Sequence, residues 1–195
     1  MKYADRLFDA FMYPLEAVAL NRRRRGLMRR ARGTVLEIGA GTGANLPFYR
    51  WDQIERLHIT DLELTESVRT FSGRGRTQVF HHEVDVQSLP FADQFFDTVV
   101  FSLVFCSVPD PVRGLAEVWR VLKPDGLLIF IEHVRPSGGT LRRIVDIANP
   151  AWNAFTRECN INRDTLPAIK SAGFAIESVR HGGRGLLVDG VARRA

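Results

Sequence analysis

The residues best suited to chemistry begin with Val35-Leu36-Glu37-Ile38-Gly39-Ala40-Gly41-Thr42-Gly43-Ala44, an apolar run that breaks into glycines. Glycines at 39 and 41 reach dihedrals closed to other residues and leave no Cβ in the way, so the backbone can approach a ligand closely. Unpaired amides at the start of a following helix would then bind an anionic group. Gly39, Gly41 and Ala44 also fit the looser dinucleotide pattern, which brings in a nicotinamide-dependent oxidoreductase as one reading. Glu37 tilts the choice away from it, because a carboxylate just before the turn opposes a pyrophosphate. It suits S-adenosylmethionine, which carries an ammonium, a sulfonium and only a carboxylate as anion. Asp61 closes the next apolar run, about 20 residues on, where an acid can accept both ribose hydroxyls. Its plainer reading is a helix N-cap, and the two roles can coexist. Asp85-Val86 closes the third run, where an adenine amino group would be read, although a lone acid there is also an ordinary turn residue.

Methyl transfer from a sulfonium asks mainly for alignment and exclusion of water, so little acid-base machinery is compulsory. His133, following the fifth apolar run, is the candidate to accept or steer a proton, alone or with Glu132; a structural histidine is the competing reading. Cys106 follows the fourth run and either lines the acceptor pocket or serves as a small buried hydrophobe. Trp152 with Phe155 is expected to wall the acceptor, while Tyr3, Phe8, Phe11 and Tyr13 roof the cofactor; core packing explains these aromatics too. No metal is expected. His81, His82, Glu83 and Asp85 are close in sequence, but neighbouring strand residues face opposite ways and do not all reach one ion. Cys106 and Cys159 form no CxxC and have no histidine at metal-ligand spacing, so reduced thiols are expected.

These groups need elements to hold them. Strand-like runs at residues 34–38, 56–60, 78–84, 98–103 and 127–131 alternate with helical stretches at 62–71 and 111–122. Strands alternating with helices imply parallel pairing with helices on both faces. Leu122-Lys123-Pro124-Asp125-Gly126 is expected to end a helix and turn into the next strand. Residues 174–179 and 186–191, around a glycine-rich turn, are expected to close the sheet as a hairpin, giving seven strands. With 195 residues there is room for one three-layer domain. Residues 1–32 are expected to form an N-terminal helical lid on a catalytic domain spanning 33–195.

The net charge of +5 is concentrated locally, since Arg22, Arg23, Arg24, Arg25, Arg29, Arg30 and Arg32 crowd one stretch. A solvated helix face is the plain reading; peripheral contact with an anionic membrane is the functional one. Without interleaved aromatics, nucleic acid is not expected as a partner. No apolar run approaches a membrane span and the N-terminus does not read as a signal peptide, so a cytoplasmic protein is expected. Arginine in place of lysine suggests a GC-rich bacterial genome.

In combination, the glycine turn, Ile59-Thr60-Asp61-Leu62-Glu63, Asp85-Val86 with Leu89-Pro90-Phe91 and Phe95-Phe96-Asp97, and Leu122-Lys123-Pro124-Asp125-Gly126 resemble the class I S-adenosylmethionine-dependent methyltransferases. The resemblance spans about residues 33 to 135. It implies a Rossmann-like α/β fold and cofactor contacts from Glu37, Gly39, Ala40, Gly41 and Gly43 at the methionine part. By the same resemblance Asp61 and Leu62 lie at the ribose and adenine, Asp85 and Val86 at the adenine, and Ser102 with Leu103 near the methyl end. A narrower similarity runs through residues 103–108, Ile131-Glu132-His133-Val134, Asn149-Pro150-Ala151-Trp152 and Cys159-Asn160-Ile161-Asn162-Arg163. It is to the subgroup containing animal alkyl-thiol S-methyltransferases, which begin with a hydrophobic anchor where this sequence has an arginine-rich helix. The resemblance implies methylation of a small-molecule thiol, with quinol or phospholipid as the alternative acceptor. A non-catalytic module that keeps the cofactor is distinguished by measured turnover, and an oxidoreductase by the identity of its ligand.

Overall fold

The structure is a computed structural model, and it describes residues 20–156 and 159–195. Seven strands form one sheet in the order β3-β2-β1-β4-β5-β7-β6. They are β1 (Gly33–Ile38), β2 (Ile54–Asp61), β3 (Gln78–Glu83), β4 (Phe96–Ser102), β5 (Leu122–His133), β6 (Phe174–Gly182) and β7 (Leu187–Arg194). The first five pair in parallel, and β7 lies antiparallel between β5 and β6. The α-helices of the described residues are α1 (Asn21–Met28), α2 (Glu66–Arg69), α3 (Pro111–Val121), α4 (Gly139–Thr156) and α5 (Thr165–Ser171), with short 3-10 turns at Leu46–Phe48, Trp51–Gln53 and Gly183–Gly185.

Strand parity builds the two apolar layers. Leu36, Ile38, Val99, Phe101, Leu128 and Phe130 join Leu115 and Val118 of α3 and Ile169 of α5 on one face. The alternating residues Val35, Val100, Ile129 and Ile131 join Leu27 and Met28 of α1 on the other. Both faces are covered, as a parallel sheet requires. α3 starts where the sequence signals it: Pro111 takes the first turn, and the Asp110 side chain accepts from the backbone N–H groups of Val112 and Arg113.

Two expectations need correction. The helix read over 62–71 shrinks to Glu66–Arg69, because Leu62 N–H donates to the Asp61 carboxylate, Leu64 N–H to Glu83, and Thr65 is extended. The turn read at 122–126 is already strand: Leu122 leaves α3 extended and fully buried opposite Phe96, and the irregularity falls before Leu127. Within the described part of the expected N-terminal lid, α-helix covers Asn21–Met28; residues 1–19, with Tyr3 and Phe11, lie outside the described residues.

Chain order in the sheet reverses at β1, which has β2 on one side and β4 on the other. In open parallel sheets such a switch point leaves a crevice outside the carboxyl ends of the two diverging strands. The glycine turn after β1 and the turn after β4 therefore meet at this crevice.

Candidate active site

Gly39 and Gly41 both have positive φ, +65° and +54°. A Cβ on Gly39 would collide with the Val104 side chain, so this glycine lets the two turns touch. A Cβ on Gly41 would meet nothing within 4 Å: here the backbone borders open space, as a loop receiving a ligand should. Ala40 and Gly43 are buried beneath. Asp61 sits half-buried at the end of β2, accepting from Gly41 N–H at 2.8 Å and Leu62 N–H at 2.7 Å. A carboxylate has about four acceptor sites, so it fixes the glycine loop and retains lone pairs for hydroxyl donors. Leu62 beside it is 71% exposed.

Asp85 is exposed, and both its oxygens accept from Gln87, one from the backbone N–H and one from Nε2, each at 2.8 Å. Val86 packs into the core below. Glu37, expected to face the ligand, is instead fully buried. Its parity points it to the face covered by α1 and the turn after β1, where Asn45 Nδ2 donates to it at 3.1 Å and Tyr49 Oη at 2.8 Å. Asn45 in turn accepts from the buried Arg24 and lies within hydrogen-bond reach of the Ser102 hydroxyl. Burial pushes the Glu37 carboxyl up to about 7 although Tyr49, Asn45 and the Arg24 charge pull the other way. One relay thus joins α1, the base of the glycine turn and the end of β4; the sequence reading misses Asn45 and Tyr49 and takes Arg24 only as one of the crowded arginines. A Tyr or Asn two turns from an acid carries no signal of its own.

Leu103 follows Ser102 with φ +59°, an uncommon conformation for a non-glycine residue. Glu132 holds the turn that begins there. Its buried carboxylate accepts from Val104 N–H at 2.8 Å, Phe105 N–H at 2.9 Å and Cys106 N–H at 3.3 Å. Burial raises it to about 7 against these donors. Glu132 is therefore a positioning residue. It sets the strained turn against Gly39.

Beyond that turn the structure supplies through space the histidine partner that the cysteines have at no metal-ligand spacing along the chain. Cys106, His133 and Cys159 converge, with one ligand atom of each within 4.8 Å of the others. Cys159 Sγ is 3.6 Å from His133 Nδ1. The hydrogen bond shared with Cys106, then that to His133, pushes the Cys159 thiol down to about 4, while the same bond and burial push Cys106 up. Trp152 belongs here too: its indole N–H is buried without a conventional hydrogen-bond partner yet close enough to favour the Cys159 thiolate. Phe155, expected to share the wall, is 66% exposed. Among the described residues, His81 and His82 do not gather with Glu83 into a cluster of ligand atoms. His82 instead stacks on His58, Nε2 to Nδ1 at 3.1 Å, in an aromatic cluster whose burial lowers both histidines.

A seven-stranded, mostly parallel sheet with an open glycine turn after β1, an acid at the end of β2 and a strained turn after β4 is the Rossmann-like architecture of the class I methyltransferases. The family model described as "Methyltransferase domain" matches residues 36–130. A rat thiol S-methyltransferase, TMT1B, is 33% identical over 150 residues, covering 73% of this chain and 60% of the relative. A phosphatidylethanolamine N-methyltransferase of Cereibacter sphaeroides is 31% identical over 57% of this chain and 56% of that protein. A demethylmenaquinone methyltransferase of Renibacterium salmoninarum is 33% identical over 56% and 45%. A solved S-adenosylmethionine-dependent methyltransferase from Mesorhizobium loti shares the fold at TM-score 0.69 and 20% identity, covering 92% of this chain and 100% of that one. The chain belongs to the class I S-adenosylmethionine-dependent methyltransferases. It spans about three fifths of the rat relative's length.

Proposed function

We propose that this protein transfers methyl from S-adenosylmethionine to the thiol of a small molecule. The observation that carries the reading is the 33% identity to a thiol S-methyltransferase over 150 residues. The residues fit the cofactor: Gly41 leaves open space, Asp61 keeps acceptor capacity beside it, and Leu62 is exposed apolar surface. When bound, the cofactor supplies an activated methyl on a sulfonium. Asp61 would hold its ribose hydroxyls and Gly39 and Gly41 its methionine part, while Glu37 acts from below by fixing Asn45 and Tyr49 under the glycine turn. Asp85, Val86 and Leu62 would flank the adenine. Ser102 and Leu103 would border the methyl end.

Burial in this crevice excludes water from a displacement that depends on alignment. A thiol is a few per cent thiolate at neutral pH and intrinsically nucleophilic, whereas a hydroxyl needs a positioned base. Glu37 and Glu132 have their carboxylates engaged by donors. That leaves His133, with the thiols it faces, as the group that brings an acceptor to its thiolate form, with Trp152 and Cys106 walling the site. Quinol or phospholipid is the second reading, favoured by the relatives named for demethylmenaquinone and phosphatidylethanolamine. The outward-facing Arg22, Arg25, Arg29 and Arg32 would give such an acceptor's membrane a salt-sensitive peripheral contact.

The test follows S-adenosylhomocysteine release with alkyl and aryl thiols beside matched phenols, amines, quinols and a phospholipid dispersion. Turnover confined to thiols is expected. Turnover only on quinols or lipid would overturn the acceptor and leave the family standing.

A further inference from the structure

Three sequence-distant segments deliver Cys106, His133 and Cys159 to one point, their ligand atoms within 4.8 Å of one another. Zinc holds sulfur at about 2.3 Å and imidazole nitrogen at 2.0–2.1 Å; at a tetrahedral angle those two donors stand about 3.6 Å apart. Cys159 Sγ and His133 Nδ1 are separated by 3.6 Å. We propose that Cys106, Cys159 and His133 form a binding site for a soft divalent cation, zinc being the reference ion, whose fourth position takes the sulfur of the acceptor thiol. The fourth ligand rests on the thiol reading above; the three-residue site stands on its own geometry.

The donor set selects the ion. Thiolate and imidazole suit zinc and not magnesium or calcium, and two cysteines with one histidine and an open position is the arrangement of a catalytic rather than a structural zinc. A plain thiol–imidazole hydrogen bond also gives 3.6 Å, but it explains neither the second thiol nor the scaffold around the three. Asn160, next to Cys159, gives both its backbone N–H and Nδ2 to the Cys106 carbonyl, at 2.8 and 3.2 Å. Its own Oδ1 is held by Asn149 and Asn153 of α4. Glu132 pins Cys106 through its N–H, and Arg163 donates to the carbonyls of Phe105 and Val108 on either side. Metal ligands are oriented by such outer partners, which fix the donors before the ion arrives. The Trp152 N–H, buried without a conventional partner, is a donor suited to a metal-bound thiolate.

The step balances without an oxidant or reductant. An acceptor thiol replaces water on the ion and releases its proton to solvent, since a coordinated thiol is deprotonated outright. The resulting sulfur uses a lone pair to form the new bond to carbon as the carbon–sulfur bond of the sulfonium breaks, leaving S-adenosylhomocysteine and a neutral thioether. With the ion in place, the role given to His133 above is met through it: His133 ligates through Nδ1, and the ion it holds takes over deprotonation of the acceptor.

The experiment uses the full chain, purified under reducing conditions, stripped with chelator and titrated with cobalt(II). One equivalent is expected to give the near-ultraviolet thiolate-to-cobalt band and the strong visible bands of a tetrahedral site, discharged by one equivalent of zinc. Cys159→Ser and His133→Asn should each weaken cobalt binding at least tenfold with circular dichroism unchanged. An alkyl thiol should shift the visible bands, and a quinol should not. No thiolate band in the reduced native chain would overturn the cation site whatever the acceptor proves to be. Undiminished thiol turnover after stripping would overturn the fourth position while upholding the thiol reading. A full cobalt spectrum blind to every thiol, with turnover only on quinols or lipid, would overturn the thiol reading and retain the three-residue site.

Discussion

Asp61 gives one oxygen to Gly41 N–H and one to Leu62 N–H, so the carboxylate that shapes the glycine loop is also the one proposed to hold the ribose. Asp61→Ala should weaken S-adenosylmethionine binding by about 1.5–3 kcal/mol, the worth of hydrogen bonds to a charged group. Calorimetry checks it; unchanged affinity would remove Asp61 from the ribose. Glu37 carries a pH signature. Its carboxyl is raised by burial from 4.5 to about 7, so the folded state holds a proton that the unfolded chain has released. A raised carboxyl costs stability as pH climbs from the unfolded value through the folded one, here between 4.5 and about 7. At about 1.4 kcal/mol per pH unit the cost reaches roughly 3 kcal/mol above neutrality. Glu37→Gln should therefore gain stability relative to the parent on going from pH 5 to pH 8 without cofactor. Parallel stability curves for the two proteins would refute the shift.

At the scale of elements, the turn after β4 holds together because β5 ends in Glu132. Three backbone N–H groups converge on this one carboxylate, and each would be left buried without an acceptor in Glu132→Ala. Several unsatisfied donors, partly relieved by local movement, should cost about 3 kcal/mol. A urea midpoint lowered at constant m is the expected result, with Glu132→Gln falling between the two because it keeps an oxygen acceptor. An unmoved midpoint would show that the turn sustains itself. This element was half legible: the Leu103–Cys106 stretch read as part strand and part pocket, yet nothing in it announced the positive φ at Leu103 or the carboxylate that imposes the turn from another strand.

For the molecule as a whole, the join that counts is between α1 and the C-terminal hairpin. Asp189 on β7 is fully buried and takes hydrogen bonds from Arg23 of α1 and Arg180 of β6. Arg30 reaches Glu177 on β6. With Arg24 committed to Asn45, three of the crowded arginines hold the fold. The expectation of a solvated face applies to the others. Removing one partner of a buried pair is costly, but both guanidiniums can turn to water, so Asp189→Ala should lose about 2 kcal/mol. Thermal unfolding would measure it, and no loss would mean that α1 is held by its apolar side alone.

The sequence by itself determined what depends on neighbours along the chain. Strand parity, the glycines whose dihedrals only a turn needs, the acids that close β2 and β3, and the proline and aspartate that open α3 are all written within a few residues of where they act. The hairpin of β6 and β7 was legible for the same reason. Tertiary structure alone decided what depends on distance through space. It inserted β7 between β5 and β6, turned Glu37 from the ligand to a buried relay with Asn45, Tyr49 and Arg24, and gave Glu132 three amides from another strand. It also brought Cys159 to Cys106 and His133. Each of those three lies on a different segment, and their meeting depends on parallel strands ending at one edge with α4 leading the chain back over it. No spacing along the chain encodes that convergence, because the distance that matters is set by how the layers pack.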